Sequence, residues 1–525
     1  MTPETLISEV TIEDNLKQFL LVLAVSLSVA TLPQIFSWLS KIPYTLLLVI
    51  VGLGLAVIDV RLVTLSPELI LLIFLPPLLF EAAWNLEWSQ LKRDLVPIAL
   101  YAVLGVVISV AGVAFALNQI AGMSLAIALL VGASVSATDP VSVIALFREL
   151  GVEKRLAVLV EGESLFNDGI AVVAFSFLVG FSLGTDEVSI PILIARFLAF
   201  VGIGIVVGSL IGFGISYLTQ RFDLPLVEQS LTLVSAYGTY IIVEDLGGSG
   251  VIGVVTVGLI FGNFGSRIGM QPSTRLAVTQ FWDFLAFFVN SIVFLLIGDR
   301  IGFADLGANL GLIGITVAAM FVTRAIAIFG LGWLSNWLGK SEISLADRTV
   351  IWWGGLRGSV SIALALSVPA VLGDRPKIIA IVFGVVLFTL LVQGLTTKAL
   401  LEKLGLLKNQ ELRQQYQEAL AQRVALNRVL KYVSEVSRDR QIEPEFSNHL
   451  VSQVQAKLDL LQAEINQMYD RYPELRELTI DKLAGDLQAI EADTYAEFVR
   501  SGQLNQLPTS VLQELFKDRN EKIVS

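Results

Sequence analysis

The sequence SVSATDPVS, residues 134–142, interrupts an apolar stretch that is long enough to cross a lipid bilayer. Pro140 has no N–H group, its ring clashes with the carbonyl of Ser136 in a regular helix, and it disfavours helical geometry at Asp139. We therefore expect the helix to open here and to bring free carbonyls, hydroxyls and one carboxylate together. These oxygen ligands suit a hard cation. A plain proline kink, capped by Asp139, is the alternative.

A second polar motif, EGESLFNDG, occupies residues 161–169 of the next apolar segment. Ser164, Asn167 and Asp168 are spaced i, i+3, i+4 and would share one helix face. A bare carboxylate is costly away from water, so Asp168 would hold either a proton or a cation, which is the exclusive choice that an exchanger requires. A polar seam between packed helices is the alternative.

A third motif, GGLRGSVS at residues 354–361, weakens a helix because three of its first five residues are glycine. The guanidinium of Arg357 would face the ends of half-helices or a carboxylate. The alternative is tight helix packing through the glycines, with a buried Arg357 in a structural ion pair. The first and third motifs fall on the fifth and twelfth apolar segments, which are seven spans apart. Because seven is odd, these two segments cross the bilayer in opposite directions. Interrupted spans at corresponding places in two halves are typical of inverted-repeat transporters.

The whole chain predicts an all-α polytopic membrane protein. It has 525 residues, of which 54% are hydrophobic and 16% charged, whereas soluble domains carry about 25% charged residues. A bilayer span needs about 20 mostly apolar residues. We predict thirteen spans: 16–37, 43–59, 66–84, 95–118, 122–147, 156–181, 190–218, 226–243, 249–264, 276–298, 306–336, 347–371 and 377–401.

The basic residues between these spans predict the orientation. With the C-terminus in the cytoplasm, the cytoplasmic connections hold 14 Lys and Arg and the opposite side holds 5. We therefore expect the N-terminus outside. We also predict two domains, a transmembrane domain over 1–408 and a cytoplasmic, mostly helical acidic tail over 409–525.

The composition also excludes several classes of function. The chain has no cysteine, one histidine and a net charge of −11. Thiolate metal sites, disulfides, histidine metal cages and a basic nucleic-acid surface are therefore excluded. We expect no cofactor other than transported ions.

Taken together, the motifs resemble the monovalent cation/proton antiporters of the NhaP/NHE type. The resemblance covers most of residues 15–402, and its motifs occur in the family's order. They are KIPYT (41–45), LPPLLFE (75–81), ATDP (137–140), EGESLFNDG (161–169), FWDFLAF (281–287), Arg324 and GLRG (355–358). The resemblance implies thirteen spans, with spans 5 and 12 unwound and crossing, a core domain and a separate dimerisation domain in a homodimer.

The resemblance also implies roles for individual residues. Asp168 would be the central ion and proton carrier, with Asp139 and Ser164 as ligands of Na⁺. Thr138 would offer its backbone carbonyl, and Glu81 would contribute at longer range.

Four further residues would support the site. Glu163 and Arg324 match a structural ion pair, and Arg357 matches a basic position near the site. Asn167 resembles the position that separates Asn-Asp members, which are typically electroneutral, from electrogenic Asp-Asp members.

The predicted function is therefore electroneutral exchange of Na⁺ for H⁺, which extrudes Na⁺ and controls pH at a prokaryotic plasma membrane. An antiporter of the same fold for K⁺ or Li⁺ is the alternative, because oxygen ligands do not fix the size of the cation. A passive channel would need filter loops or polar rings, and the sequence has none. An intramembrane aspartyl enzyme that uses Asp139 and Asp168 is a further reading.

Overall fold

A computed structural model describes residues 3–36, 39, 42–58, 66–139, 141–184, 190–219, 224–266, 270–300, 302–339, 342–407, 410–439, 444–472 and 494. The regular structure of these residues is entirely helical. They form two compact units, one that ends at Leu404 and one over Gly405–Thr494. The boundary between the two domains predicted from the sequence follows Lys408.

The larger unit begins with six α-helices interrupted by π-helical and 3₁₀ turns. They are α1 (Pro3–Ile35), α2 (Tyr44–Val57), a π-helix (Leu69–Phe74), α3 (Leu75–Asn85), α4 (Trp88–Leu91), a 3₁₀ turn (Lys92–Asp94), α5 (Leu95–Leu100), a π-helix (Tyr101–Gly105) and α6 (Val106–Ala121).

The middle of this unit contains the long helix that carries the second sequence motif. The helices are α7 (Leu125–Ser134), α8 (Val141–Leu150), α9 (Lys154–Ser182), α10 (Ile190–Thr219), α11 (Pro225–Asp245), α12 (Gly250–Ile260), a π-helix (Phe261–Gly265) and α13 (Pro272–Asp299).

The unit ends with a second interrupted pair and a helix that contains a π-helical turn. These are α14 (Phe303–Ala308), α15 (Leu310–Gly339), α16 (Leu345–Trp353), α17 (Ser359–Leu366), α18 (Arg375–Phe388), a π-helix (Thr389–Gln393) and α19 (Gly394–Lys403).

Helical residues occupy each of the thirteen predicted segments. The helices differ widely in length. Among the described residues, seven helices are long and apolar enough to cross a membrane. The predicted span 306–336 is not one helix, because the short α14 ends at Ala308 before α15 begins at Leu310. The first helix also extends further towards the N-terminus than the predicted 16–37.

Glycines allow several of these helices to pack with their backbones in close contact. A Cβ atom at Gly52 of α2 would lie 2.9 Å from the Cα atom of Gly298 in α13, and one at Gly208 of α10 would lie 2.6 Å from the carbonyl of Gly253 in α12. Small residues at such crossings are typical of helix packing in membranes, where van der Waals contact drives association.

The two predicted interruptions are breaks in the helices. The first separates α7 from α8 at residues 135–139, and the second separates α16 from α17 at residues 354–358. The two extended segments contact each other directly. The N–H of Asp139 donates to the carbonyl of Leu356 at 2.8 Å, and the hydroxyl of Ser361 donates to the carbonyl of Ala137 at 3.2 Å. Each break therefore satisfies backbone groups that the other leaves free.

The smaller unit is an antiparallel pair of helices, α20 (Gln410–Asp439) and α21 (Pro444–Arg471). The Tyr416 and Tyr469 hydroxyls lie 2.7 Å apart, and Arg423 donates to Gln462 at 3.0 Å. Residue numbers therefore rise along one helix as they fall along the other. Pro473 and Pro508 of the tail lie outside the described residues.

Candidate cation site

A cavity of about 360 Å³ lies where the two helix breaks meet α3, α9 and α13. Its lining includes Ala137, Thr138 and Asp139 of the first break and Gly358 of the second. No Lys, Arg or His belongs to the described residues that line it, so the cavity favours cations. Its five carboxylates are Glu81, Asp139, Glu161, Asp168 and Asp283.

Asp168 projects from the middle of α9 into this cavity. Only 6% of the residue is exposed, and its Oδ1 atom has no hydrogen-bond partner among the described residues. A buried carboxylate oxygen without a partner is costly as a bare charge. A proton or a cation at this oxygen would remove that cost.

Asp139 faces the same cavity but is held by the backbone. Its Oδ1 atom accepts the N–H of Val141 at 2.9 Å, at the start of α8. This contact satisfies one of the free N–H groups at the helix N-terminus and fixes the orientation of the side chain. A Cβ atom at Gly358 would overlap the Asp139 carboxylate, so only glycine allows the two breaks to approach this closely.

Thr138 connects the first break to the polar face of α9. Its hydroxyl donates to the Ser164 hydroxyl at 3.0 Å, and the Asn167 amide lies within donating distance of the same Thr138 oxygen, at 3.4 Å. Ser164 itself is buried and is not among the residues that line the cavity. The spacing of Ser164, Asn167 and Asp168 on one face, predicted from sequence, therefore corresponds to one connected set of polar contacts.

Glu163 and Arg324 form a buried ion pair behind this polar face. Arg324 donates from both terminal nitrogens to the two Glu163 oxygens at 3.2 Å, and Asn167 donates to Glu163 at 3.2 Å. Arg324 also donates to the carbonyls of Ile351 and Trp352, at 3.0 and 3.2 Å, near the end of α16. The pair therefore links α9, α15 and the second break.

Glu81 lies on α3, at another side of the cavity. The amide of Asn85 donates to the Glu81 carboxylate at 2.6 Å and lies 3.4 Å from Asp283 on α13. Asn85 therefore holds two carboxylates of neighbouring helices close together.

Arg357 does not line the cavity. It is fully buried, and its Nη1 atom donates to the carbonyl of Gly355 at 3.2 Å within the second break. Its Nε and Nη2 atoms have no hydrogen-bond partner among the described residues.

The structure thus brings four of the predicted ion-binding residues, Asp168, Asp139, Thr138 and Glu81, to one cavity. It places Ser164 and Asn167 one hydrogen bond away, and Glu163, Arg324 and Arg357 behind the cavity wall. The described residues contain no cluster of three or more His, Cys, Asp or Glu that could hold a metal ion. A cation here would therefore also need carbonyl or hydroxyl ligands.

Several polar residues that line the cavity have no role predicted from the sequence. They are Glu161, Asp283, Asn290, Ser359 and Ser361. The spacing of Asp283 and Asn290, i and i+7, places them on one face of α13 and could have indicated the second of them. The two serines lie at the start of α17, where only the helix break brings them to the cavity.

Comparison with known proteins identifies the class of protein to which this arrangement belongs. The sequence profile of the family "Sodium/hydrogen exchanger, transmembrane" matches residues 23–403. The chain belongs to this sodium/hydrogen exchanger family. It is therefore an integral membrane transporter and not an enzyme.

Individual relatives extend the similarity over nearly the whole chain. The chain is 61% identical to the Na⁺/H⁺ antiporter ApNhaP of Aphanothece halophytica, covering 98% of this chain and 99% of that protein. It is 55% identical to the low-affinity Na⁺/H⁺ antiporter NhaS1 of Synechocystis, covering 96% of each.

A solved structure shares the fold. It is that of the sodium proton antiporter MjNhaP1 from Methanocaldococcus jannaschii, which superposes with a TM-score of 0.62 and covers 76% of this chain and 99% of that one. The sequence identity is 21%, so this likeness concerns the fold alone.

Proposed function

We propose that the protein exchanges Na⁺ for H⁺ across a membrane by competition of the two ions for Asp168. The observation that carries the proposal is the buried Asp168 carboxylate: among the described residues its Oδ1 atom has no partner, and none of those that line the cavity is basic. The two similar antiporters, which are named for Na⁺ and H⁺, support these ions as substrates.

Asp139 and the Thr138 carbonyl are proposed to bind Na⁺ together with Asp168, and Glu81 to act at longer range. Ser164, which lies outside the lining and accepts the Thr138 hydroxyl, is proposed to join these ligands when the ion binds. The backbone contact of Asp139 supports a fixed ligand, since its orientation does not depend on the ion. Asn167 is proposed to hold Thr138 and Glu163, and the Glu163–Arg324 pair to hold the core. Arg357 would support the second break.

The proposed exchange is one Na⁺ for one H⁺ and electroneutral. Asp168 is the one carboxylate of α9 with a buried, unpartnered oxygen among the described residues, and residue 167 beside it is Asn rather than Asp. One carboxylate can carry either one H⁺ or one Na⁺, so each exchange moves one positive charge in each direction. The transport rate should then be independent of membrane voltage.

The proposed topology has thirteen spans, an inverted repeat around spans 5 and 12, an outside N-terminus and the 409–525 tail in the cytoplasm. The breaks at 135–139 and 354–358 and the distribution of basic residues support it. We further propose a homodimer in the plasma membrane, with alternating access produced by movement of the core domain.

Flux in reconstituted vesicles tests the function. Vesicles with a pH gradient receive Na⁺, Li⁺ or K⁺, and the internal pH is recorded with the voltage clamped at several values. The wild-type protein should dissipate the gradient with Na⁺ at every voltage, and Asp168→Asn should abolish this flux because an amide binds no proton at these pH values. Asp374→Asn, in an exposed pair with Lys377, is the control and should behave as wild type.

Robust Na⁺-driven proton flux in Asp168→Asn would refute the role of Asp168. Flux with K⁺ but not Na⁺ would identify the alternative K⁺ exchanger, and a measurable current would reject the electroneutral scheme. Flux of Na⁺ without proton movement would indicate a channel.

A further inference from the structure

The last membrane helix contains a π-helical turn directly behind the second helix break. This turn, Thr389–Gln393, separates α18 from α19. A π-helical turn widens the helix and is frequent at functional sites. Its two polar side chains are both buried, with Thr389 fully buried and Gln393 1% exposed.

These two side chains bond the two ends of the extended segment between α16 and α17. The Thr389 hydroxyl accepts the N–H of Arg357 at 3.1 Å, and Gln393 donates to the carbonyl of Trp353 at 2.7 Å. Trp353 is the last residue of α16, and Arg357 lies two residues before α17. Without these contacts, the buried N–H of Arg357 and the last carbonyl of α16 would lose these partners.

The segment that they hold is the one that positions Asp139. Between its two ends, the Leu356 carbonyl accepts the N–H of Asp139 at 2.8 Å. The next glycine, Gly358, lies against the Asp139 carboxylate. A shift of this segment would therefore move Asp139 and Gly358, which both line the cavity, although neither Thr389 nor Gln393 lies in the lining.

We propose that Thr389 and Gln393 are positioning residues that set the affinity and selectivity for the cation through Asp139. This inference rests on the proposed function. It assigns to the π-helical turn the task of fixing the geometry of a ligand on another helix. Neither side chain lines the cavity, so both act through the extended segment.

The test compares transport kinetics in vesicles. Thr389→Val removes the hydroxyl at nearly constant volume, Gln393→Leu removes the amide, and Thr389→Ser retains the hydroxyl. Thr316→Val is the matched control, because Thr316 is fully buried and its hydroxyl donates only within its own helix, to Leu312 at 2.7 Å. Each protein is first checked for thermal unfolding in detergent.

We expect Thr389→Val and Gln393→Leu to raise the apparent KM for Na⁺ roughly tenfold, as befits loss of a buried hydrogen bond with its partner left unsatisfied. Their ratio of Na⁺ to Li⁺ transport should change as well. Thr389→Ser and Thr316→Val should keep the wild-type KM. A merely structural role would lower the amount of active protein and the maximal rate, but not the KM or the selectivity.

An unchanged KM and selectivity in both Thr389→Val and Gln393→Leu would overturn the inference, as would an equal shift in Thr316→Val. If one of the two variants fails to fold, the other decides the outcome together with Thr389→Ser. A wild-type protein without Na⁺-driven proton flux would instead overturn the proposed function, and this inference with it.

Discussion

Asp168 and Asp139 line the same cavity, but the fold treats the two carboxylates differently. Asp139 accepts a backbone N–H at the start of a helix, whereas the Oδ1 atom of Asp168 has no partner among the described residues. A ligand with a fixed orientation costs little to organise when the ion arrives. Asp168, which has one oxygen without a partner among the described residues, gains most from binding either ion.

Gly358 provides a test of this arrangement at a single residue. In Gly358→Ala, the new Cβ atom would overlap the Asp139 carboxylate and displace it. A misplacement of about 1 Å can cost on the order of 10²-fold in rate, and we expect a loss of Na⁺/H⁺ exchange of about that size in vesicles. Gly314→Ala, where nothing lies within 4 Å of the added atom, should exchange at the wild-type rate. Equal rates in the two variants would contradict the account.

Among single residues, the sequence indicates those whose burial in a membrane costs free energy whatever the fold. An acidic or basic residue inside an apolar stretch is expensive, which is why Asp168, Asp139 and Arg324 can be singled out. Thr389 and Gln393 cannot be singled out in this way, because they carry no charge and their importance depends on the extended segment that they contact.

At the scale of elements, the Glu163–Arg324 pair holds three helices together behind the site. It joins α9 and α15, and Arg324 also bonds the last carbonyls of α16. A Cβ atom at Gly355 would overlap the Arg324 guanidinium. The glycine therefore allows the second break to pass directly over the pair.

Removing one partner of this pair should be strongly destabilising. Arg324→Met leaves the buried Glu163 charge uncompensated, which typically costs about 3–5 kcal/mol, so the midpoint of thermal unfolding in detergent should fall clearly. Lys377→Met removes one partner of an exposed pair with Asp374 and should leave the midpoint nearly unchanged. The same midpoint in both variants would show that the buried pair does not hold the core.

Gaps between helices at the first and third motifs are easier to anticipate from the sequence than the π-helical turns. The motifs at 134–142 and 354–361 contain residues that disfavour helix for local reasons. The π-helical turns have no such local signal, because the residue types in them are also compatible with a regular α-helix. The predicted span 306–336 joins the end of the short α14 to α15. No residue of 303–310 forbids a helix, so the sequence gives no local signal for the gap between them.

At the scale of the whole molecule, composition separates two parts of the chain. The family similarity ends at residue 403 and the larger compact unit at Leu404, close to the rise in charged residues after Lys408. Within the larger part, the carboxylates that line the cavity come from α3, α9, α13 and the first break. Their meeting depends on tertiary packing, which no single segment specifies.

In the proposed exchange, Na⁺ and H⁺ bind Asp168 in turn. Lowering the pH loads the site with protons and weakens Na⁺ binding, while raising the pH removes the protons that exchange requires. Transport should therefore fall on both sides of an optimum. The competition of the two ions for one carboxylate is sufficient to produce this pH profile, so no separate pH sensor is needed.

Proton release upon Na⁺ binding tests this claim most directly. Purified protein in weakly buffered detergent solution is titrated with Na⁺, and the released protons are measured by isothermal titration in buffers of different ionisation enthalpy. The account predicts about one proton released per Na⁺ at acid pH, a fall towards none at alkaline pH, and no release from Asp168→Asn, since binding of a metal ion to a protonated ligand displaces its proton. Na⁺ binding without proton release in the wild-type protein, or equal release from Asp168→Asn, would contradict it.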